Sequence, residues 1–456
     1  MSIVALLPGL LAALWVARHG VARAFFDVYL PVLLILPDYF RFFMPGLPDP
    51  TMNQAAILPI AAVFAVKELK GWKFSTGDVF VLLFAFLCAY SEFRAKNYSE
   101  AQNLMFDMLT NVVLPYVLTK GLVEGKGNRL VFARRFIVLM TIVAFMLPYE
   151  TKMTTVLIRI PLNPFFPGQG NWTPTARWGL IRGAGPYGHA ILAGVMFCVA
   201  YRIQRWLEWS GGWPGKVKLP GLTLPRARFH TLAMLGGSFL TLVKGPWIGA
   251  FAGGAVVLAL MARNRKAVGG ALFALLVAAG IPAFVWFWQW SSVGRANALT
   301  VSQETACYRK ELIEGYLSVA AQHAMWGWGR AGWPKIPGME STDNHYLLLA
   351  LNHGLVAVAC FFAIQFRLLG KLIRFGLKRT RTDPSALLAF NLAGALLVFL
   401  VSLATVYHGG QTVHLFFILA GWAEGLLCFR NSDGQPGGET NALVPAPAHG
   451  FRRVVT

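Results

Sequence analysis

Apolar runs recur from one end of this 456-residue chain to the other, near residues 3–17, 25–43, 55–66, 77–91, 104–119, 136–148, 187–201, 230–243, 247–262, 268–289, 345–366, 386–406 and 411–428. A helix that crosses a bilayer needs about 20 such residues. Lipid offers no partner to a free backbone amide, so runs of this kind fold as helices rather than open strands. They are too long for the roughly ten-residue strands of a membrane barrel. Only 13% of the residues are charged, about half the share of a soluble chain, and mean hydropathy is +0.54. The expected fold is an all-α polytopic membrane protein with twelve or thirteen transmembrane helices.

The net charge of +21 raises nucleic acid as a partner, but the distribution of the charge excludes it. One alternating set of connections (Arg18 and Arg23, 67–76, 120–135, 202–229, 263–266, 367–385 and the tail from Arg430) holds 28 of the 41 Lys and Arg. The other set (38–54, 91–103, 149–186, Lys244 and 290–344) holds 13. Cytoplasmic connections carry the basic excess, so the second set is expected outside. The chain then divides into N-terminal transmembrane helices (1–148), a first outer loop (149–186), central helices (187–289), a large outer loop (290–344), C-terminal helices (345–429) and a disordered cytoplasmic tail (430–456). The five cysteines suggest neither a disulfide framework nor a metal site. The first apolar run lacks a signal peptide's basic start and cleavage site, and is expected to stay.

The chemistry is expected in the two outer loops. Residues 303–322 have the composition of an amphipathic helix, with Leu312, Ile313, Tyr316 and Leu317 on one stripe. Arg309 on that helix either pairs with its acidic neighbours or faces a ligand, as could Arg295 and Arg330. Trp328 and Trp333 read equally as interfacial anchors or as stacking platforms for a sugar. At the loop's end, in Ser341-Thr342-Asp343-Asn344-His345-Tyr346, Thr342, Asp343 or Asn344 can cap a helix with His345 in its first turn. A neutral imidazole there suits proton abstraction from a hydroxyl; a plain interfacial histidine is the alternative.

The first loop ends Arg177-Trp178-Gly179-Leu180-Ile181-Arg182-Gly183-Ala184-Gly185-Pro186. Pro186 suits a first helical position, the glycines would leave helix-terminal amides open to an anion, and Arg182 beside them could grip phosphate with its guanidinium fork. Lys244-Gly245-Pro246 breaks the apolar stretch 230–262 into two helices with an outer turn. Orientation thus collects Lys244, Arg182, Arg295, Arg309 and His345 at one membrane face. There is no Asp-x-Asp, Walker or His-Glu-x-x-His motif, which disfavours metal-dependent nucleotide-sugar chemistry and ATP hydrolysis. A cationic outer pocket at a lipid interface suits an anionic lipid, most simply a lipid pyrophosphate.

Arg182-Gly183-x-Gly185-Pro186, Lys244-Gly245, Arg295, Arg309, Gly327-Trp328-Gly329 with Pro337, and Asn344-His345-Tyr346-Leu347 together resemble the O-antigen ligase and Wzy-type polymerase superfamily of bacterial envelope glycosyltransferases. The resemblance spans about residues 180–365. It implies a GT-C-like, inverting transferase without metal or cofactor. Such an enzyme sits in the bacterial inner membrane with its active site toward the periplasm. It would take a glycan from an undecaprenyl-pyrophosphate donor and pass it to a saccharide or lipid A-core hydroxyl, with a flippase and a chain-length regulator as partners. Carried over, His345 is the general base or positions the acceptor. Arg182, Arg295 and Arg309 hold the pyrophosphate, and Lys244, Arg177, Arg330, Asn344, Tyr346 and Trp328 complete the binding set. Two positions depart from the family pattern: Val243-Lys244-Gly245 replaces Ser-Arg-Gly, and the order Asn344-His345 replaces His-Asn. A polysaccharide polymerase is the first reading, an O-antigen ligase the second, and a transporter of an anionic lipid or saccharide the third.

Overall fold

The computed structural model describes residues 2–429 apart from 44, 45, 47, 97, 171–173 and 340. The tail expected to be disordered, 430–456, lies outside the described residues. Each of the thirteen apolar runs contains a helix, and a fourteenth helix forms in the second loop. In chain order these are α1 (Ser2–His19), α2 (21–35), α3 (Met52–Lys67), α4 (Thr76–Ala95), α5 (98–124), α6 (Arg129–Met153) and α7 (Ala190–Trp209). There follow α8 (Arg226–Leu240), α9 (Lys244–Met261), α10 (Arg265–Trp290), α11 (Val301–Gln322), α12 (His345–Leu377), α13 (Pro384–Ser402) and α14 (Gln411–Cys428). Two short hairpins, β1–β2 (Ala176–Arg177 with Leu180–Ile181) and β3–β4 (Lys216–Leu219 with Leu222–Pro225), are the only strands among the described residues.

Nine of these helices are long and apolar enough to cross a membrane on their own: α1, α4, α6, α7, α9, α10, α12, α13 and α14. The other four runs expected to span fall short for local reasons. The run 25–43 stops being helical at Ile35, because Leu36 must be extended (φ −92°, ψ 141°) ahead of Pro37. Helix α5 contains widened turns at Met108–Val113 and Lys120–Glu124, while α3 and α8 have 16 and 15 residues. The run near 187–201 errs the other way. Its helix starts at Ala190 and continues to Trp209, which carries Arg202 from the expected connection into the span.

Helices α7, α13 and α14 form the centre, with 83% of each apolar window buried. Most charged side chains inside the bundle are matched, Arg202 being an exception: Lys120 meets Asp78 at 2.7 Å, Arg367 meets Glu424 at 2.7 Å, and Trp422 donates to Glu124 at 2.7 Å. Each would be costly alone. The two sets of connections separate to opposite ends. At one end the Gly183 amide donates to Leu240 O, Gln411 to Pro186 O, and the His345 amide to Leu403 O. At the other end Arg134 reaches Gly212 O and Trp206 reaches Pro384 O. Helix α10 stands outside the bundle with no buried residue.

Helix α12 is broken. Gly354 adopts φ 78°, ψ 173° in its middle, which frees backbone groups at membrane depth. The Trp-rich turn of the second loop fills the break. The Trp328 amide donates to Leu351 O (2.8 Å), the Gly329 amide to Asn352 O (2.9 Å), and the Leu355 amide to Ala324 O (2.6 Å). The fit leaves no room for side chains, since a Cβ at Gly354 would overlap the Met325 carbonyl and one at Gly327 would meet the Asn352 backbone. Gly354→Ala is therefore expected to cost roughly 1–3 kcal/mol from backbone strain alone, with the overlap added. A lowered midpoint of thermal unfolding in detergent checks this, and an unchanged midpoint would show that the turn is not seated in the break.

Candidate functional site

The first loop presents its arginines on the β1–β2 hairpin. Trp178 and Gly179 at its tip both have positive φ (54° and 76°), the conformation that closes a two-residue hairpin. Arg177 and Arg182 flank it and reach the turn between α8 and α9. Arg177 Nη1 donates to Leu242 O at 2.7 Å, and Arg182 lies near Thr241 O and Thr175 Oγ1 at 3.4 Å each. Lys244 is exposed at the start of α9 on that turn. From α11, Arg309 Nη2 approaches Thr405 O at 3.3 Å, and a Cβ on Gly245 would meet the same Thr405.

Three elements therefore bring Arg177, Arg182, Arg309 and Lys244 around one turn. No carboxylate forms an ion pair with any of the four among the described residues. Burial, then Arg177 and Arg309, pull Arg182 down to about 10, and Arg309 is lowered chiefly by burial while Asp343 pushes the other way. Both guanidinia are cationic at neutral pH. Crowded, half-shielded cations of this kind gain most from an anion with several oxygens.

His345 begins α12, and Asn344, of the three residues able to cap it, does so by accepting from the Leu347 amide at 3.1 Å. The His345 amide is held by Leu403 O and Val406 O. Its ring packs edge-on against His408 and Phe361 (5.0 and 5.4 Å between centroids), and both ring nitrogens are buried without a hydrogen-bond partner. His408 Nε2 and Arg309 Nε are in the same position. Burial holds His408 down to about 4, so it is neutral. Beside this lies a cavity of about 380 Å³ lined by His189, Trp333, Lys335, Asp343 and Tyr407 among others. Asp343 faces both His189 and Arg309 electrostatically.

Other residues singled out in the sequence go elsewhere. Arg295 is paired with Glu311 at 2.8 Å and with Gly338 O, on a different face of α11 from Arg309. Arg330 is tied to Glu92 and Asp107. Trp328 donates to Val319 O and stacks on His323, so it serves the seating of the turn. Trp333 lines the cavity, with Lys335 lying over its ring at 3.4 Å. Tyr346 donates to Leu400 O and stacks on Phe362. The amides of Ala184 and Gly185 are not open to an anion as expected: the Glu150 carboxylate takes both, at 2.8 and 2.7 Å. Pro186 lies in a 3-10 turn, and the helix begins four residues later, at Ala190, with His189 as its cap.

Sequence reasoning passed over Asp343 as more than a cap, His189, and the whole turn 403–410. The last holds His408 and Tyr407 in a polar gap of only a few residues between two apolar runs. The same alternation that put the long loops together would have put this one with them.

Residues 229–362 match the family model described as O-antigen ligase, which supports the superfamily to which the sequence motifs pointed. The match runs from α8 across the break in α12. No curated protein matches the chain.

Glu150 holds the arginine-bearing hairpin to α6 through two buried amides, each of which costs about 1–3 kcal/mol when left unpaired. Glu150→Ala is expected to lower the unfolding midpoint and expose the first loop to protease. Glu150→Gln keeps an acceptor oxygen and should lose less. Equal stability of all three proteins would contradict the contact.

Proposed function

Starting from the O-antigen ligase match over 229–362, we propose that this chain is a membrane glycosyltransferase that passes a glycan from an undecaprenyl-pyrophosphate carrier to a sugar hydroxyl. The observation that carries the reading is the group Arg177, Arg182, Arg309 and Lys244, free of carboxylate ion pairs among the described residues and lying beside the elements that hold His345. The pyrophosphate would sit among the guanidinia, which also stabilise it as it leaves. The acceptor hydroxyl attacks the anomeric carbon, the carbon–oxygen bond to the pyrophosphate breaks, and the hydroxyl proton passes to His345. One displacement inverts the anomeric centre. The cationic residues supply the charge compensation, so the step needs neither metal nor ATP. His345 is enclosed by Phe361 and His408, so the 403–408 turn has to give way for a hydroxyl to reach it.

The preferred acceptor is another lipid-linked repeat unit, which makes the chain a polysaccharide polymerase of the Wzy type. The matched family, described as O-antigen ligase, favours the neighbouring reading, ligation onto lipid A-core, and the acceptor alone separates the two. In both readings the protein sits in the bacterial inner membrane with the site toward the periplasm.

Purified protein supplied with a lipid-pyrophosphate glycan and either acceptor is the direct test. His345→Ala is expected to lower kcat by about 10²–10⁴-fold, and Arg309→Ala by about 10²–10³-fold. Chelator is expected to leave the rate unchanged. Undiminished product from both variants would sink the site assignment. The orientation has its own check: a membrane-impermeant thiol reagent applied to intact spheroplasts should label Ser341→Cys and spare Lys216→Cys, and the reverse pattern would place the site in the cytoplasm.

A further inference from the structure

Arg202 is an intramembrane cation without a carboxylate. It lies twelve residues after Ala190 and seven before Trp209 on α7, so about 18 Å from one end of the helix and about 10 Å from the other. It is 5% exposed, and no ion pair involves it among the described residues. Its guanidinium rests on the Tyr201 ring at 4.7 Å, and its Nε is buried without a hydrogen-bond partner. Arg205, one turn on, shows the usual solution: it pairs with Glu208 at 2.5 Å. Glycines make the room for Arg202. A Cβ on Gly254 would lie 3.4 Å from its Nη1, and one on Gly394 would lie 3.2 Å from its Cδ. A charged side chain inside a span is rare unless it meets a partner or marks a functional site.

The guanidinium lines a groove of about 600 Å³ between α7, α8 and α9. The rest of the lining is almost wholly apolar, and Leu235, Phe239, Phe251 and Leu258 are exposed along it. The groove therefore opens sideways, toward acyl chains. A cation at the inner wall and an apolar wall leading out of it together describe an amphiphile with one anionic head. Arg202 is nearer the Trp209 end, so the head enters from the leaflet opposite the Arg177–Arg182–Arg309 cluster.

We propose that this groove binds an anionic phospholipid, with the phosphate on Arg202 and an acyl chain along the α8–α9 wall. Guanidinium binds phosphate oxygens in a forked pair. The long side chain can swing its head toward the interface to meet them. The glycan carrier's pyrophosphate, bound at the opposite face, is a different ligand, so this site stands or falls independently of glycosyl transfer.

The test uses the full chain purified in neutral detergent, read by native mass spectrometry and thermal unfolding, and needs no turnover. Phosphatidylglycerol is expected to be retained and to raise the unfolding midpoint, while diacylglycerol and inorganic phosphate are not. Arg202→Met should bind about 10- to 100-fold less phosphatidylglycerol, the loss of a charge-assisted hydrogen bond. That variant removes a buried charge and should remain folded. Gly254→Val, which narrows the groove beside an intact Arg202, should show the same loss. Equal retention by wild type and Arg202→Met would overturn the proposal. So would stabilisation by inorganic phosphate alone, or a preference for polyprenyl phosphate over phosphatidylglycerol that Arg202→Met abolishes.

Discussion

Backbone amides freed in the middle of a membrane helix must be paired inside the protein, and the break at Gly354 makes the rest of the structure answer to that demand. The turn 324–329 supplies the partners, which requires the second loop to dip into the bundle rather than lie over it. Other contacts then follow. Glu92 of α4 accepts from the Arg330 amide and guanidinium, and Ser91 Oγ lies 2.6 Å from His353 Nδ1. Helix α11 packs Leu312, Tyr316 and Val319 onto Leu347 and Leu351 in the first turns of α12. Loop, amphipathic helix and helix start become one unit, and Arg309 and His345 are carried on it.

Charge is handled in two ways, and the contrast defines the site. Several cations that serve the fold have carboxylates: Lys120 with Asp78, Arg367 with Glu424, Arg295 with Glu311, Arg330 with Glu92. Breaking one of the buried pairs by removing a partner is typically worth about 3–5 kcal/mol, which is reason enough for them. Arg177, Arg182 and Arg309 rest on backbone carbonyls instead. Carbonyl dipoles orient a guanidinium without neutralising it, so the fork stays available. Mutual repulsion in this cluster is a standing cost that the proposed pyrophosphate would remove, and the relief would add to its affinity.

The helical class, the thirteen helical segments and the separation of the two loop sets were legible because each rests on a local rule: run length, hydropathy and basic excess. A cap within residues 342–344 and the helix in the second loop were legible for the same reason. What escaped depended on partners distant in sequence. Arg309 and Arg330 look alike on the chain, and only the fold reveals that Arg330 belongs to Glu92, 238 residues away. The amides of Ala184 and Gly185 looked free because Glu150, which accepts from both, sits a loop earlier, on α6. The break in α12 was hidden by a single glycine in an apolar run, a residue that many unbroken membrane helices tolerate. Arg202 was assigned to a connection because a charge was taken to end a span.

The family match and the site do not share boundaries, and that has a consequence for specificity. The segment 229–362 contributes Lys244, Arg309 and His345, the groups proposed for charge compensation and proton transfer. The remaining surfaces come from outside it. Arg177, Arg182 and His189 arrive from the first loop, and Val406, Tyr407 and His408 from the turn before α14. Tyr407 also borders a second cavity of about 370 Å³ with Asp38, Arg41 and Gln411. On the proposed reading, a sugar acceptor approaching His345 would meet these flanking walls first. Discrimination between acceptor hydroxyls depends on polar groups left unpaired by the wrong sugar, and such groups lie mostly in the flanks. If the chain transfers glycans as proposed, the matched segment would keep one transfer chemistry while changes at His189, Tyr407 or Arg41 altered the acceptor it serves.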